Sequence, residues 1–211
     1  MKRSSILIFI VLLCFSSRAQ EQDFQLWNSI SLKNKINKDN SFYIKLGIRY
    51  RENATINYKD FIDLRFKHNL KKYINLSLGY RNIIEYDISS SLEKKNRFYI
   101  DLNLSKKKKR YYFDIRNRIL TQGNINGFNS LFRQRIKISY NIRKIKLEPS
   151  VSFEYFYDFS NKINKIRTAV SMSYPIIKKL DLDFIYKIQN EFYIADPLTL
   201  FIFETKLNYK L

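Results

Sequence analysis

The sequence predicts an all-β chain, an antiparallel up-and-down transmembrane β-barrel of about ten strands, with twelve as the alternative, preceded by a signal peptide. Three observations point to it. Apolar and polar residues alternate with period two almost throughout the chain, the spacing of a strand with two unlike faces and not of a helix. The alternating runs are roughly 9–13 residues long, which suits a tilted membrane strand of about 9–11 residues better than a soluble strand of about 5–6. Ten of the 16 Tyr, together with Phe192, lie near the ends of these runs, where interfacial girdles call for rings with an apolar body and, in Tyr, a polar tip.

Composition narrows the classes. Of 211 residues, 45% are apolar, so the chain is not of the disordered, low-hydrophobicity type. Four Gly and three Pro exclude collagen-like and Pro-rich linker chains. One Cys and one His exclude a disulfide framework and a Cys/His metal centre, and no cofactor is implied. The formal charge of +20 is strongly basic. On an exported chain it is not evidence for a nucleic-acid partner, and none is expected.

Residues 1–19 read as the signal peptide. Lys2 and Arg3 form a positive start, Ile6 to Phe15 is an unbroken apolar run, and Ser17 and Ala19 occupy the small positions of a cleavage site. The run is too short for a span of about 20 residues. Leu13 is too large for the usual lipoprotein cleavage position, so Cys14 is not expected to carry a lipid. Residues 20–40 are the N-terminal segment. Phe24, Leu26, Ile30 and Leu32 alternate there, as a first strand or as a segment in the lumen or at the rim.

Residues 41–211 are the barrel. Its apolar alternations run over 42–50, 62–70, 74–80 (extendable to 86), 98–104, 111–119, 132–140, 147–157, 166–174, 180–188 and 201–211. None of these apolar faces carries Asp, Glu, Lys or Arg, whereas the opposite face is charged in nearly every run. Short basic turns at 71–72, 106–109, 141–145 and 175–179 alternate with longer polar loops at 52–58, 87–95, 122–129, 158–163 and 193–198. That is the two-rim pattern of outer-membrane barrels. Tyr73, Tyr111, Tyr140, Tyr174 and Tyr209 mark one rim, and Tyr50, Tyr86, Tyr155, Tyr157, Phe192 and Tyr193 the other. The chain ends within a strand that carries Phe203, Leu207, Tyr209 and Leu211 on one face. This resembles the signal read by the barrel assembly machinery, with Leu211 in place of the usual Phe. With residues 24–32 there are eleven runs. Bacterial single-chain barrels have even strand numbers, which favours ten strands closing the barrel, with residues 20–34 lying in or beside it.

Certain segments resemble the DUF2490 family of uncharacterised Bacteroidetes outer-membrane proteins. They are Trp27 in QLWNSISLKNKI, GIRYRE at 47–52, LGYRN at 78–82, RNR at 116–118, RQRIKISY at 133–140, LEPSVSFEYFY at 147–157 and NKIRTAVSMSY at 164–174. Their order and spacing span essentially the whole chain beyond the leader. The resemblance implies a small outer-membrane barrel. It implies no activity and no catalytic residues.

The polar face supplies the candidate lumen-lining residues: Arg49, Arg51, Asp63, Arg65, Arg81, Glu85, Arg97, Asp101, Arg116, Arg118, Arg133, Arg135, Glu148, Glu154, Arg167, Asp181 and Asp183, with Asp114 and Glu191 beside them. Desolvated Arg must be paired, and its planar fork suits carboxylates. An ion-pair ladder filling a narrow lumen and a narrow passage favouring small anions both fit this set. Glu148, Glu154 and Asp158 read as counter-charges for Arg133 and Arg135. His68 falls on the apolar face with no nucleophile patterned beside it, and Lys106 to Arg110 reads as a solvated rim.

The functional expectation is a non-enzymatic outer-membrane barrel of structural or narrow-pore type, in contact with outer-membrane lipid. Two other classes compete with it. One is an outer-membrane enzyme modifying lipid or peptide. The other is a secreted soluble β-barrel binding a lipophilic ligand.

Overall fold

The computed structural model describes residues 21–86, 91–159, 162–194 and 196–211. The expected signal peptide at 1–19 lies outside the described residues, as do parts of the expected loops at 87–95, 158–163 and 193–198. The described residues form strands and turns only. The strands are β1 (Glu21–Lys35), β2 (Asn40–Arg51), β3 (Ile56–Lys71), β4 (Ile74–Tyr86), β5 (Leu92–Lys108), β6 (Tyr111–Asn124), β7 (Gly127–Tyr140), β8 (Glu148–Asp158), β9 (Lys162–Ile177), β10 (Leu180–Glu191) and β11 (Leu198–Lys210). Each pairs with its chain neighbour, and β1 pairs with β11, so the sheet is a closed barrel with no free edge.

The barrel has eleven strands, where ten or twelve were expected. Hairpins reverse direction at every step, so an odd number brings the first and last strands together running the same way. The even-number expectation assumed an antiparallel closure. Here β1 joins β11 in parallel, in register from Glu21↔Leu198 to Lys33↔Lys210, and β2 in antiparallel. Residues 21–35 are therefore wall and neither plug nor rim. Side chains reinforce this seam. Thr205 Oγ1 donates to Asn28 Oδ1, and Ser31 Oγ donates to Asn208 Oδ1 at 2.6 Å.

The strands are 11 to 17 residues long, longer than the alternating runs. They extend into segments expected as loops. The stretch 122–129 is almost wholly strand, and only residues 125 and 126 connect β6 to β7. Two glycines permit this turn. Gly127 adopts φ +152°, and a Cβ on Gly123 would lie 1.9 Å from the Gly127 carbonyl oxygen. The connection at 52–55 is also short, whereas that between β7 and β8 on the opposite rim spans residues 141–147. The contrast between the rims is thus weaker than the sequence suggests.

Alternation sorts the side chains into outside and inside. Ile44, Leu46, Leu78, Ile100, Ile119, Val151, Val170 and Phe184 are among the exposed large apolar residues of the outer wall. Charged outward residues such as Asp60, Lys94 and Lys106 lie towards strand ends, in register with outward positions of adjacent strands. Polar pairs sit mid-wall too: Gln134 Nε2 donates to Asn117 Oδ1 at 2.5 Å, and Asn28 and Thr205 of the seam are also outward, so each pair meets part of its own hydrogen-bonding need. Tyr111 packs on Tyr140, with ring centroids 5.0 Å apart, at the rim of the β5–β6 turn.

Candidate functional site: the charged interior

The buried face is polar, the reverse of a soluble barrel. Asp101 is 0% exposed, Glu154 3%, Arg118 4% and Glu204 5%. Three groups of contacts organise this interior.

The first centres on Glu154 of β8. It accepts hydrogen bonds from Arg133 Nη2 of β7 at 2.6 Å, Arg116 Nη2 of β6 at 2.9 Å and Arg167 Nη1 of β9 at 3.2 Å. Arg167 also donates to Gln189 Oε1. One carboxylate thus serves three guanidinium groups, one of them two strands away.

The second is a chain of alternating charges and rings. Arg118 clasps Asp101 through Nε and Nη2 at 2.6 and 2.7 Å, the bidentate geometry that makes Arg–carboxylate pairs strong. Its guanidinium lies 3.7 Å from the Tyr99 ring centroid. Tyr99 Oη donates to Asp63 Oδ1 at 2.8 Å, and Arg81 Nε donates to Asp63 Oδ2 at 2.7 Å. Arg81 in turn lies 4.1 Å from the Phe61 ring. Glycines make room for both rings. A Cβ on Gly79 would fall 2.0 Å from Tyr99 Cζ, and one on Gly47 would fall 2.3 Å from Phe61 Cζ.

The third surrounds Trp27 and Glu204. Arg49, Lys187 and Arg167 lie 3.7, 4.5 and 5.3 Å from the Trp27 ring. Lys187, Lys206 and Lys45 share the Glu204 carboxylate. Trp27 also packs with Leu200 and Ile202, forming a small apolar cluster inside the seam.

The sequence-named residues fall into these groups or into separate pairs. Of the expected counter-charge pairings Glu154–Arg133 is made, and Arg135 bonds Asp114 of β6 at 2.7 Å. Glu85 bridges Lys59 and Lys95. Asp181 pairs with Lys210 at 2.5 Å, and Asp183 accepts from Asn208 Nδ2 at 2.9 Å. Arg51 lies 3.7 Å from its neighbour Glu52. Arg65 lies 4.2 Å from the Tyr43 ring. Glu148 stands in register with Ser173. Arg49, Arg65 and Arg97 have no carboxylate within ion-pair distance among the described residues. His68 lies on the outward face, with Nδ1 2.8 Å from Asn40 Oδ1.

Sequence reasoning passed over Trp27, Phe61, Lys45, Lys187 and Glu204 as members of this interior. Parity within each strand could have found them, because Trp27 alternates with Leu26 and Asn28, and Lys187 with Tyr186 and Ile188. The inward apolar residues Ile83, Leu120, Ile185, Leu200 and Ile202 carry no such signal. In LFIFE both faces of the strand read alike.

A closed ring of next-neighbour strands, apolar outside and charged within, defines a transmembrane-type β-barrel. The chain belongs to the family described as "Protein of unknown function (DUF2490)", whose family model matches residues 24–198. Among solved structures it is similar to the NanC porin at 11% identity. That match covers 84% of this chain and 93% of the porin, with a TM-score of 0.53, a likeness of fold. It also matches the beta domain of the Bordetella autotransporter BrkA at 9% identity. That match covers 74% of this chain and 78% of the other, with a TM-score of 0.46. No curated protein matches.

Proposed function

We propose that the chain is an outer-membrane β-barrel of narrow-pore type whose cation-rich interior passes small anions in preference to cations. The observation that carries this reading is the excess of inward positive charge over inward carboxylate. Glu154 is shared by three arginines and Glu204 by three lysines, while Arg49, Arg65 and Arg97 have no carboxylate partner among the described residues. Field lines in a low-dielectric tube concentrate such a surplus on the solute path. Tight packing around Asp101, Arg118 and Ile202 limits the path to small solutes.

In this reading the apolar wall contacts lipid, and Phe203, Leu207, Tyr209 and Leu211 are what the assembly machinery recognises. Single-channel recording of the refolded protein in a planar bilayer tests it. A steady, small, anion-selective conductance is expected. Cation selectivity would overturn the reading. So would silence from a barrel verified as folded by its heat-dependent gel mobility.

A second reading is favoured by one observation. Trp27 of β1 gathers Arg49 of β2, Lys187 of β10 and Arg167 of β9, so side chains from well-separated strands meet over one ring. That is the arrangement of a filled, structural barrel, and silence in the bilayer would support it.

A further inference from the structure

We propose that the interior holds a binding site for a small oxyanion, a carboxylate or phosphate group, between the guanidinium of Arg49, stacked on Trp27 and Phe61, and the guanidinium of Arg97. The inference rests on the narrow-pore reading for how the anion enters, but not for whether it binds.

Arg49 is held by its faces. Its guanidinium carbon lies 3.7 Å from the Trp27 ring and 5.3 Å from Phe61. Stacking uses the π surface and leaves the guanidinium edge, which the Tyr58 hydroxyl also approaches, to in-plane partners. The nearby Tyr58 hydroxyl donates to Gln25 Oε1 at 3.1 Å. Arg97 is fixed differently. Its Nε and Nη2 both donate to Gln122 Oε1, a neutral acceptor, which orients the fork and cancels none of its charge.

Among the described residues, the neighbouring carboxylates are engaged elsewhere. Asp63 is taken by Arg81 and Tyr99, Glu85 by Lys59 and Lys95, and Glu154 by three arginines. Arg97 meanwhile feels the repulsion of Arg81, Arg49, Arg133 and Arg118, and Lys59 feels both Arg49 and Arg97. Cations gathered in a partly desolvated space without a counter-charge are costly. A mobile anion is the remaining way to neutralise them. Preoriented planar forks favour oxyanions, which can accept two parallel N–H bonds, over a spherical halide.

Trp27 is the only tryptophan, so its fluorescence reports on this site. The purified, refolded protein in detergent micelles is titrated with sodium phosphate or sodium acetate, with ionic strength held constant by sodium chloride. A saturable change in Trp27 emission is expected. Arg97→Gln should raise the midpoint at least tenfold and Arg97→Lys less, while Lys107→Gln at the β5 end should titrate as the unaltered protein. Heat-dependent gel mobility verifies that each variant is folded.

Three results would overturn the proposal: no saturable change, an equal response to chloride alone, or an Arg97→Gln variant that titrates unchanged. If Arg97→Gln does not fold, the unaltered protein decides the matter. Its thermal midpoint should rise with phosphate above matched chloride, and an equal rise in both salts would overturn the site. Binding by a barrel that is silent in bilayers would keep the site and refute passage. Conductance without binding would do the reverse.

Discussion

Replacing Gly79 by alanine should dislodge Tyr99 and, through it, two charged partners. A Cβ at position 79 would lie 2.0 Å from Tyr99 Cζ and 2.4 Å from its Oη. Carbon atoms in contact sit about 3.5–4.0 Å apart, so the ring must retreat by about 1.5 Å or more. Retreat breaks the 2.8 Å bond from Tyr99 Oη to Asp63 and the 3.7 Å stacking of Arg118 on the ring. A hydrogen bond to a charged acceptor contributes about 1.5–3 kcal/mol, and a desolvated cation–π contact up to about 2 kcal/mol. Alanine regains about 0.5–1 kcal/mol of the backbone entropy that glycine loses in a strand. The net expectation is a loss of about 3 kcal/mol. Guanidinium unfolding of the refolded barrel in micelles, followed by Trp27 emission, should show a lower midpoint at an unchanged slope. In a Tyr99→Leu background there is no phenol to dislodge, so Gly79→Ala should cost under about 0.5 kcal/mol, leaving a coupling energy of about 2–3 kcal/mol. Equal losses in both backgrounds would refute the reasoning, as would an unchanged midpoint for Gly79→Ala alone.

Further outcomes are open to measurement. Ile100→Arg places a charge on the outer wall at a half-exposed position and should cost about 2–4 kcal/mol, whereas Lys106→Ala should cost almost nothing; comparing folded yields in lipid vesicles checks this. Glu154→Gln leaves Arg116, Arg133 and Arg167 without their shared carboxylate and should destabilise the barrel by about 3–5 kcal/mol, read as a fall in thermal midpoint. Ala54 sits at φ 66° in a turn where Glu52 and Asn53 are also left-handed. Ala54→Gly should therefore stabilise by about 1 kcal/mol, a gain that a higher denaturation midpoint would record.

Much of the architecture is legible in local pattern. Phe42, Ile44, Leu46 and Ile48 alternate with Tyr43, Lys45, Gly47 and Arg49, and period two alone puts these sets on opposite faces. Strand ends were harder to read. The segment QGNINGFN has the composition of a loop, yet pairing runs to Asn124↔Gly127 because two glycines let the backbones close. The strand count is set by closure and not by local pattern. Hairpin alternation sets the direction of β1 relative to β11, but not whether β1 joins the ring.

The sequence by itself determined which side chains share a face, because the alternation of a strand depends on nothing beyond its neighbours. It thereby determined that one face would be apolar and the other rich in arginine. Only the tertiary structure decided who meets whom across the interior. Glu154 gathers Arg116 from two strands away, Arg135 turns to Asp114, and Arg49 and Arg97 are left with rings and a glutamine. Those outcomes depend on tilt, closure and the parallel seam that brings Trp27 inside. Such relations join residues far apart in the chain, and no local period encodes them.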